Sequence, residues 1–319
     1  MRENTRIMSA PTENRGSGDP TLSEVPTVSV VLPVHNRSSL VTRAIDSVLA
    51  QTYRDIELIA VDDASTDDTP DTLARYSHDP RFRTVRNAQN LGAAGTRNVG
   101  IGLARGRYLA FQDSDDRWFP EKLETQLKVL QASADCRACY SGAVYYSKEN
   151  SYYIPREGAR GAPKGDIFAD TLMINPTTPQ TLLIERSLLT ETGVFDDTLR
   201  INEDWDLALR LARATQFAFV PEPMVMIYRT PDSVSSHMAR DTAFRVRMLD
   251  QYAEDFAHNT AARSRQNYVL GSQYLALGDH RNAMRYFAEA MRDVPSSRGA
   301  AQMLRVALSW STRWARKGR

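Results

Sequence analysis

Cysteine is almost absent from this chain. Only Cys136 and Cys139 occur among its 319 residues, in DCRAC. A four-cysteine zinc site cannot be completed, and a lone C-x-x-C reads as two thiols in a reducing cytosol. Net charge is equally scarce, at +1. No chain-wide field attracts nucleic acid, so any charged function has to be local. Long apolar runs are missing too; none approaches the roughly 18 residues of a membrane span. Residues 1–26 lack the apolar core of a signal peptide and read as a polar, disordered leader. Gly92, Gly95, Gly100, Gly102 and Gly106 do not form G-x-G-x-x-G directly after a strand, which excludes a dinucleotide loop.

What is present is an ordinary globular balance, 42% hydrophobic and 25% charged, arranged in alternation. TVSVVLPV (27–34), IELIAV (56–61), RFRTVRN and RYLAFQ read as buried strands. SSLVTRAIDSVLAQT, TPDTLARYS and AAGTRNVGIGLA between them read as helices. Such alternation predicts an α/β fold, a doubly wound, mainly parallel sheet covered by helices. RACYSGAVYYS is a further strand, 148–180 reads as long loops, and NEDWDLALRLARAT as a helix. FAFVPEPMVMIYR reads as two short strands broken by Pro221 and Pro223. From about residue 241 the pattern is helical.

Sheets of this kind bind ligands at the carboxyl ends of their strands. His35, Asn36 and Arg37 follow the first strand, Asp62 to Asp67 the second, and Asp113 to Asp116 the fourth. Carboxylates this close repel one another unless a cation lies between them. Asp113-Ser114-Asp115 has the D-x-D form that can bind a divalent ion through carboxylate oxygens. A cation there that also holds two phosphates stabilises a departing diphosphate. Downstream, Glu203, Asp204 and Asp206 open an apolar helix. They suit either a general base or a helix start favoured by the dipole.

VSVVLPVHNR, LIAVDDASTDDT and NLGAAGTRNVGIGLARGRYLAFQDSDD, in this order, resemble the nucleotide-sugar domain of family-2 glycosyltransferases. The resemblance covers about residues 27–230 and implies a GT-A fold within a domain of 27–240. It implies an inverting enzyme that moves a sugar from a nucleotide-diphosphate donor, of uridine type, to a glycan, lipid-linked or protein acceptor, with Mn or Mg as cofactor. Carried over, Pro33 and His35 line the base pocket, and Asp63 accepts a hydrogen bond from the base. Asp113 and Ser114 lie near the ribose, and Arg97 faces the nucleotide. Asp115, with Asp113, ligates the metal, and Asp204 is the base. Position 35 is often Tyr in the family; His35 can also stack. Tyr228, Arg229 and His237 fall where the family places a lid or diphosphate contact, His237 as a diphosphate or metal ligand. The Q-x-x-R-W of processive relatives is absent, which implies transfer of single sugars.

Two other classes fit less well. A nucleotidyltransferase opens with a Gly-rich loop, and PVHNRSS has no Gly. An inactive scaffold has no need of Asp63, Asp113, Asp115 and Asp204 together. Residues 241–319 form a helical extension. Within about 264–297, Leu270, Gly271, Tyr274, Ala283, Phe287, Ala290 and Pro295 resemble one tetratricopeptide repeat, which implies packing on neighbouring helices or a protein partner. The last helix, basic and bearing Trp310 and Trp314, either caps that repeat or lies on an anionic membrane surface. The expected location is cytoplasmic or peripheral at the inner face of the membrane.

Overall fold

The computed structural model describes residues 5–6, 25–147, 149–154, 162–228 and 237–317, with side chains described as far as 308. The chain divides into two compact units, one of residues 1–167 and 176–233, the other of 168–175 and 234–319.

The first unit begins with β1 (Thr5–Arg6), β2 (Val28–Val34), α1 (Val41–Leu49), β3 (Ile56–Asp62) and α2 (Thr69–Ala74). Next come β4 (Phe82–Asn87), α3 (Gly92–Leu103), β5 (Tyr108–Phe111), β6 (Arg117–Trp118) and α4 (Lys122–Gln131). Then follow β7 (Cys136–Tyr146) and β8 (Ser151–Ile154), and, after α5 (Phe168–Met173) of the second unit, β9 (Leu182–Glu185) and α6 (Leu188–Thr192). The unit closes with α7 (Glu203–Ala214) and β10 (Gln216–Tyr228).

The strands form one sheet in the order β1-β4-β3-β2-β5-β9-β7-β10-β6, with β8 on β7. The half from β4 to β5 is parallel throughout. Beyond β5 it becomes mixed: β9 runs antiparallel to β5 and β7, while β7 and β10 are parallel. Every residue of β3 is buried, as expected of a strand covered on both faces. Val28, Val30, Leu32 and Val34 pack with Val41, Ala44, Ile45 and Val48 of α1. On the other face α3 lies so close that a Cβ on Gly100 would stand 2.4 Å from Val31.

Two expectations need correction. The prolines do not split β10; it runs unbroken, with register shifts between Val220 and Pro223 and between Pro223 and Val225. Pro221 falls in the first register shift, outside the ladder, where its missing N–H breaks no ladder bond, while Pro223 still pairs with Gly142. The stretch 148–180 is not all loop, since β8 and α5 lie within it. Most of the leader, 1–4 and 7–24, lies outside the described residues, while Thr5 and Arg6 pair with Asn87 and Arg86.

The second unit adds α8 (Met238–Gln251), α9 (Ala253–His258), α10 (Thr260–Ala276), α11 (His280–Asp293) and α12 (Ser297–Lys317). The residues that carry the repeat resemblance meet between α10 and α11. Gly271 lets the helices touch, since a Cβ there would lie 2.8 Å from the Phe287 ring. Tyr268 meets Phe287 edge-on at 5.5 Å, and Tyr274 stacks on Tyr286 at 5.4 Å. Val306 of α12 completes the cluster with Ala283 and Phe287. Asn259 and Asp279 cap α10 and α11 by accepting from Ala262 N and Asn282 N.

Candidate active site

The parallel ladder aligns the ends of β2 and β3, pairing Pro33 with Val61 and Val34 with Asp62. The turns beyond them are knitted together. His35 Nδ1 donates to the Asp63 carbonyl at 2.8 Å, which leaves Nε2 to accept from Asn36 Nδ2 at 3.3 Å. Asn36 N donates to Ser65 Oγ at 2.9 Å, and Asn36 Oδ1 accepts from Thr66 N at 2.8 Å. His35 thus has a fixed ring and an exposed face beside a half-buried Pro33.

Asp63 is buried, and its carboxylate organises the next helix. Oδ1 accepts from Leu91 N at 2.8 Å and Asn87 Nδ2 at 2.9 Å, and Oδ2 from Gly92 N at 2.9 Å. The residue expected to meet the base therefore also starts α3, where acidic groups satisfy orphan N–H donors.

Arg97 of α3 is buried rather than lying on the helix surface. Its Nη2 donates to Asp113 Oδ1 at 2.7 Å and its Nη1 to Glu203 Oε1 at 2.9 Å. Burial opposes its charge, but Asp113 and Glu203 outweigh that and hold it protonated. Its guanidinium also lies 5.4 Å from the Phe195 ring. Phe195 is held by Asn98, whose amide donates to Phe195 O at 2.8 Å and accepts from Phe195 N at 3.1 Å. The turn of Gly193, Val194, Phe195 and Asp196 is also clamped by Arg210, which donates to Thr192 O, Gly193 O and Val194 O and pairs with Asp206 at 2.7 Å. Asp206 is thereby part of a structural clamp.

After β5, Asp113, Ser114 and Asp115 are half-buried and Asp116 is buried. Asp116 accepts from Tyr228 N at 2.9 Å and Gln180 Nε2 at 2.7 Å. Burial, then the charges of Asp113 and Asp115, push its carboxyl up to about 8. Arg43 stacks 3.8 Å over the Tyr228 ring and donates to the Asp115 carbonyl.

At the head of α7, Asp204 is half-buried. Burial first and Glu203 second raise its carboxyl to about 7, against a downward pull from Arg97. That is a value suited to a base working near neutrality.

Among the described residues, the non-glycine residues with left-handed backbone are Asn36, Ala64 and Asn202. They sit after β2, after β3 and before α7. Such strain gathers at functional sites, and alanine has no polar side chain to make it easier. Periodicity carries no sign of it. Nor did spacing reveal Asn98 or Gln180, or that Glu203 pairs with Arg97 and Asp116 with Gln180; only the order of motifs hinted that residues near 97, 113 and 203 converge.

The D-x-D residues suit a hard divalent cation. Asp113 and Asp115 offer oxygen donors, and magnesium is often held by one or two carboxylates plus substrate phosphates. No group of three or more His, Cys, Asp or Glu side chains forms a ready-made metal cage among the described residues. His237 belongs to the second unit, where its carbonyl accepts from Arg240 N and Asp241 N as α8 begins. Arg229 lies outside the described residues.

The model of glycosyl transferase family 2 matches residues 29–193, and the chain belongs to that family. A putative teichuronic acid biosynthesis glycosyltransferase of Bacillus subtilis is 32% identical over 71% of this chain and 89% of its own. An uncharacterised glycosyltransferase of Rickettsia conorii is 26% identical over 76% of this chain, which spans only 44% of that relative's length. A UDP-Glc:alpha-D-GlcNAc-diphosphoundecaprenol beta-1,3-glucosyltransferase of Escherichia coli is 36% identical over 41% of this chain and 47% of its own. Among solved structures, S. aureus TarS in complex with UDP-GlcNAc aligns over 86% of this chain and 83% of its own, with a TM-score of 0.59 and 16% identity. A mannosyltransferase of Pyrobaculum calidifontis in complex with GDP-Man and Mn2+ aligns over 95% and 88%, with a TM-score of 0.56 and 20% identity. These likenesses share the GT-A core seen here.

Proposed function

We propose that the chain is an inverting, non-processive glycosyltransferase that takes a sugar from a uridine-diphosphate donor and delivers it to an acceptor hydroxyl. The observation that carries this is the Arg97 bridge, which ties Asp113 of the D-x-D turn to Glu203, the neighbour of Asp204. Donor-side and base-side carboxylates are thereby held by one buried guanidinium.

Asp204 takes the proton of the acceptor hydroxyl. The freed oxygen bonds to the anomeric carbon as the bond to the diphosphate breaks on the opposite side, which inverts the centre. Pro33 and His35 flank the base, and Asp63 receives its hydrogen bond. Asp113 and Ser114 meet the ribose, and Arg97 fixes Asp113. Asp113 and Asp115 would hold Mn or Mg, which when bound would neutralise the leaving diphosphate. The UDP-Glc in the name of the E. coli relative and the UDP-GlcNAc of the TarS complex favour uridine. The Pyrobaculum complex with Mn2+ favours the cation. Polysaccharide synthesis in relatives favours a glycan or lipid-linked acceptor, reached from the cytoplasm at the inner face of the membrane. The α10–α11 hairpin acts as one tetratricopeptide-like repeat.

A panel of nucleotide sugars, read by released nucleoside diphosphate and by the anomeric configuration of the product, tests this. UDP release with inverted product is expected. A retained configuration removes the role given to Asp204, and release from none of the donors removes the reading.

A further inference from the structure

Helix α12 rests on its unit through one stripe. Gly299 and Val306 are buried, and Gln302 and Met303 half-buried. The opposite stripe carries Ala300, Leu304, Ala307 and Leu308, all exposed; Leu304 is 61% and Leu308 59% exposed. These two leucines stand one turn apart and form a continuous apolar ridge. Arg298 and Arg305 beside it are exposed as well.

The sequence segment that carries this ridge has charge of one sign. Residues 297–319 contain Arg298, Arg305, Arg313, Arg316, Lys317 and Arg319 and no Asp or Glu, with Trp310 and Trp314 in the same segment. No helix among the described residues is long and apolar enough to cross a membrane. A helix that cannot cross, with leucines outward and only basic charge, is complementary to an anionic bilayer surface and suited to lie in its plane.

We propose that the Ala300, Leu304, Ala307 and Leu308 face of α12 docks on anionic lipid. The leucines enter the headgroup boundary while Arg305 meets lipid phosphates. The membrane location given under Proposed function is a place; the surface that finds it is α12.

The test uses the full chain and sedimentation with vesicles of equal parts phosphatidylglycerol and phosphatidylcholine, or of phosphatidylcholine alone. Binding to the first and not the second is expected, and it weakens as salt rises. The double variant Leu304→Ser/Leu308→Ser loses binding roughly tenfold or more. Arg305→Glu loses about fivefold or more. These residues are exposed, and unchanged melting confirms that the variants fold. No vesicle binding by the parent, or equal binding by parent and variants, overturns the proposal. So does a parent that self-associates through this face, by light scattering, while ignoring vesicles; the occupant is then a second copy. UDP release with a soluble acceptor stays at parent level in all variants, so failure of vesicle binding and failure of sugar transfer are read separately.

Discussion

The acidic turns after β3 and after β5 lie two strands apart and contain similar residues, yet their carboxylates live differently. After β3 they are provided for. Asp62 accepts from Ser65 N, Asp63 accepts three hydrogen bonds, and Asp67 accepts from Thr69 and Ser38. Burial pulls the Asp67 carboxyl upward, but those hydrogen bonds outweigh it and hold it near about 2. After β5 the balance is reversed. Asp116 is crowded by burial and by Asp113 and Asp115, and Asp204 across the Arg97 bridge is raised as well. The first turn is acidic because acidic oxygens build it. The second crowds its carboxyls so that Asp116 and Asp204 hold protons more tightly than free ones, which suits the cation and base roles proposed for this side.

Removing basicity on the charge-rich side has the largest expected effect. Asp204→Asn keeps shape and is expected to lower turnover by ~10²- to 10⁴-fold. Donor affinity, measured separately by calorimetry, stays near the parent value. Glu203→Gln loosens Arg97 and costs less. Asp206→Asn weakens the Arg210 clamp and costs least. Near-normal turnover in Asp204→Asn with loss in Glu203→Gln transfers the base to Glu203.

Second in size is the cation. Nucleotide binding by the parent is expected to tighten by on the order of tenfold or more when Mn is added. Asp115→Asn is expected to lose that gain without a change in melting. Identical parent affinity with Mn and with a chelator sinks the metal assignment, and the contrast between the two turns loses its cause.

The β3 side answers differently, in stability. Asp63→Ala takes the carboxylate acceptor from Leu91 N and leaves Gly92 N and the Asn87 amide only their longer contacts to Asn90 Oδ1 (3.2 Å) and Thr96 Oγ1 (3.4 Å), and is expected to destabilise the fold by about 2–4 kcal/mol, read by denaturant unfolding. Asp63→Asn keeps one oxygen and loses less. Both are expected to flatten the preference for uridine over purine diphosphates, provided the base reaches Asp63. A parent that binds both kinds equally removes the base-pocket role and leaves Asp63 as a helix cap.

Much of this contrast was legible in the chain. Apolar runs located β2, β3, β4 and β5, and the polar residues after them marked the edge proposed to bind ligand. The apolar face of NEDWDLALRLARAT located α7. The bridge between the clusters was not legible, because Arg97 and Glu203 lie 106 residues apart. No local pattern shows that an arginine in a small-residue helix is buried and doubly paired. The bulged β10 was hidden by a rule that is sound for regular strands and fails where a bulge excuses the proline. Ala64 and Asn202 were hidden because backbone strain is imposed by surrounding contacts, not by residue type.

The smallest effect concerns pH and stability, and it isolates Asp204. Its carboxyl rises from 3.8 to about 7 in the folded chain. Between those values the native state holds a proton that the unfolded state has released. Stability therefore falls as pH rises through this window and levels off above about 7. Asp116 acts in the same direction, so the parent's curve alone does not assign the slope. Asp204→Asn has no proton to lose there. The difference in melting temperature between variant and parent is expected to grow in the variant's favour from about pH 4 to about pH 7. Partial exposure screens the charge, so the gain is on the order of 1 kcal/mol, or ~2–4 °C for a protein of this size. A more stable but nearly inactive Asp204→Asn marks a carboxylate kept at a cost to the fold. A difference that does not change with pH means that Asp204 is neutralised as well as the residues after β3, and the contrast between the two sides then rests on Asp116 alone.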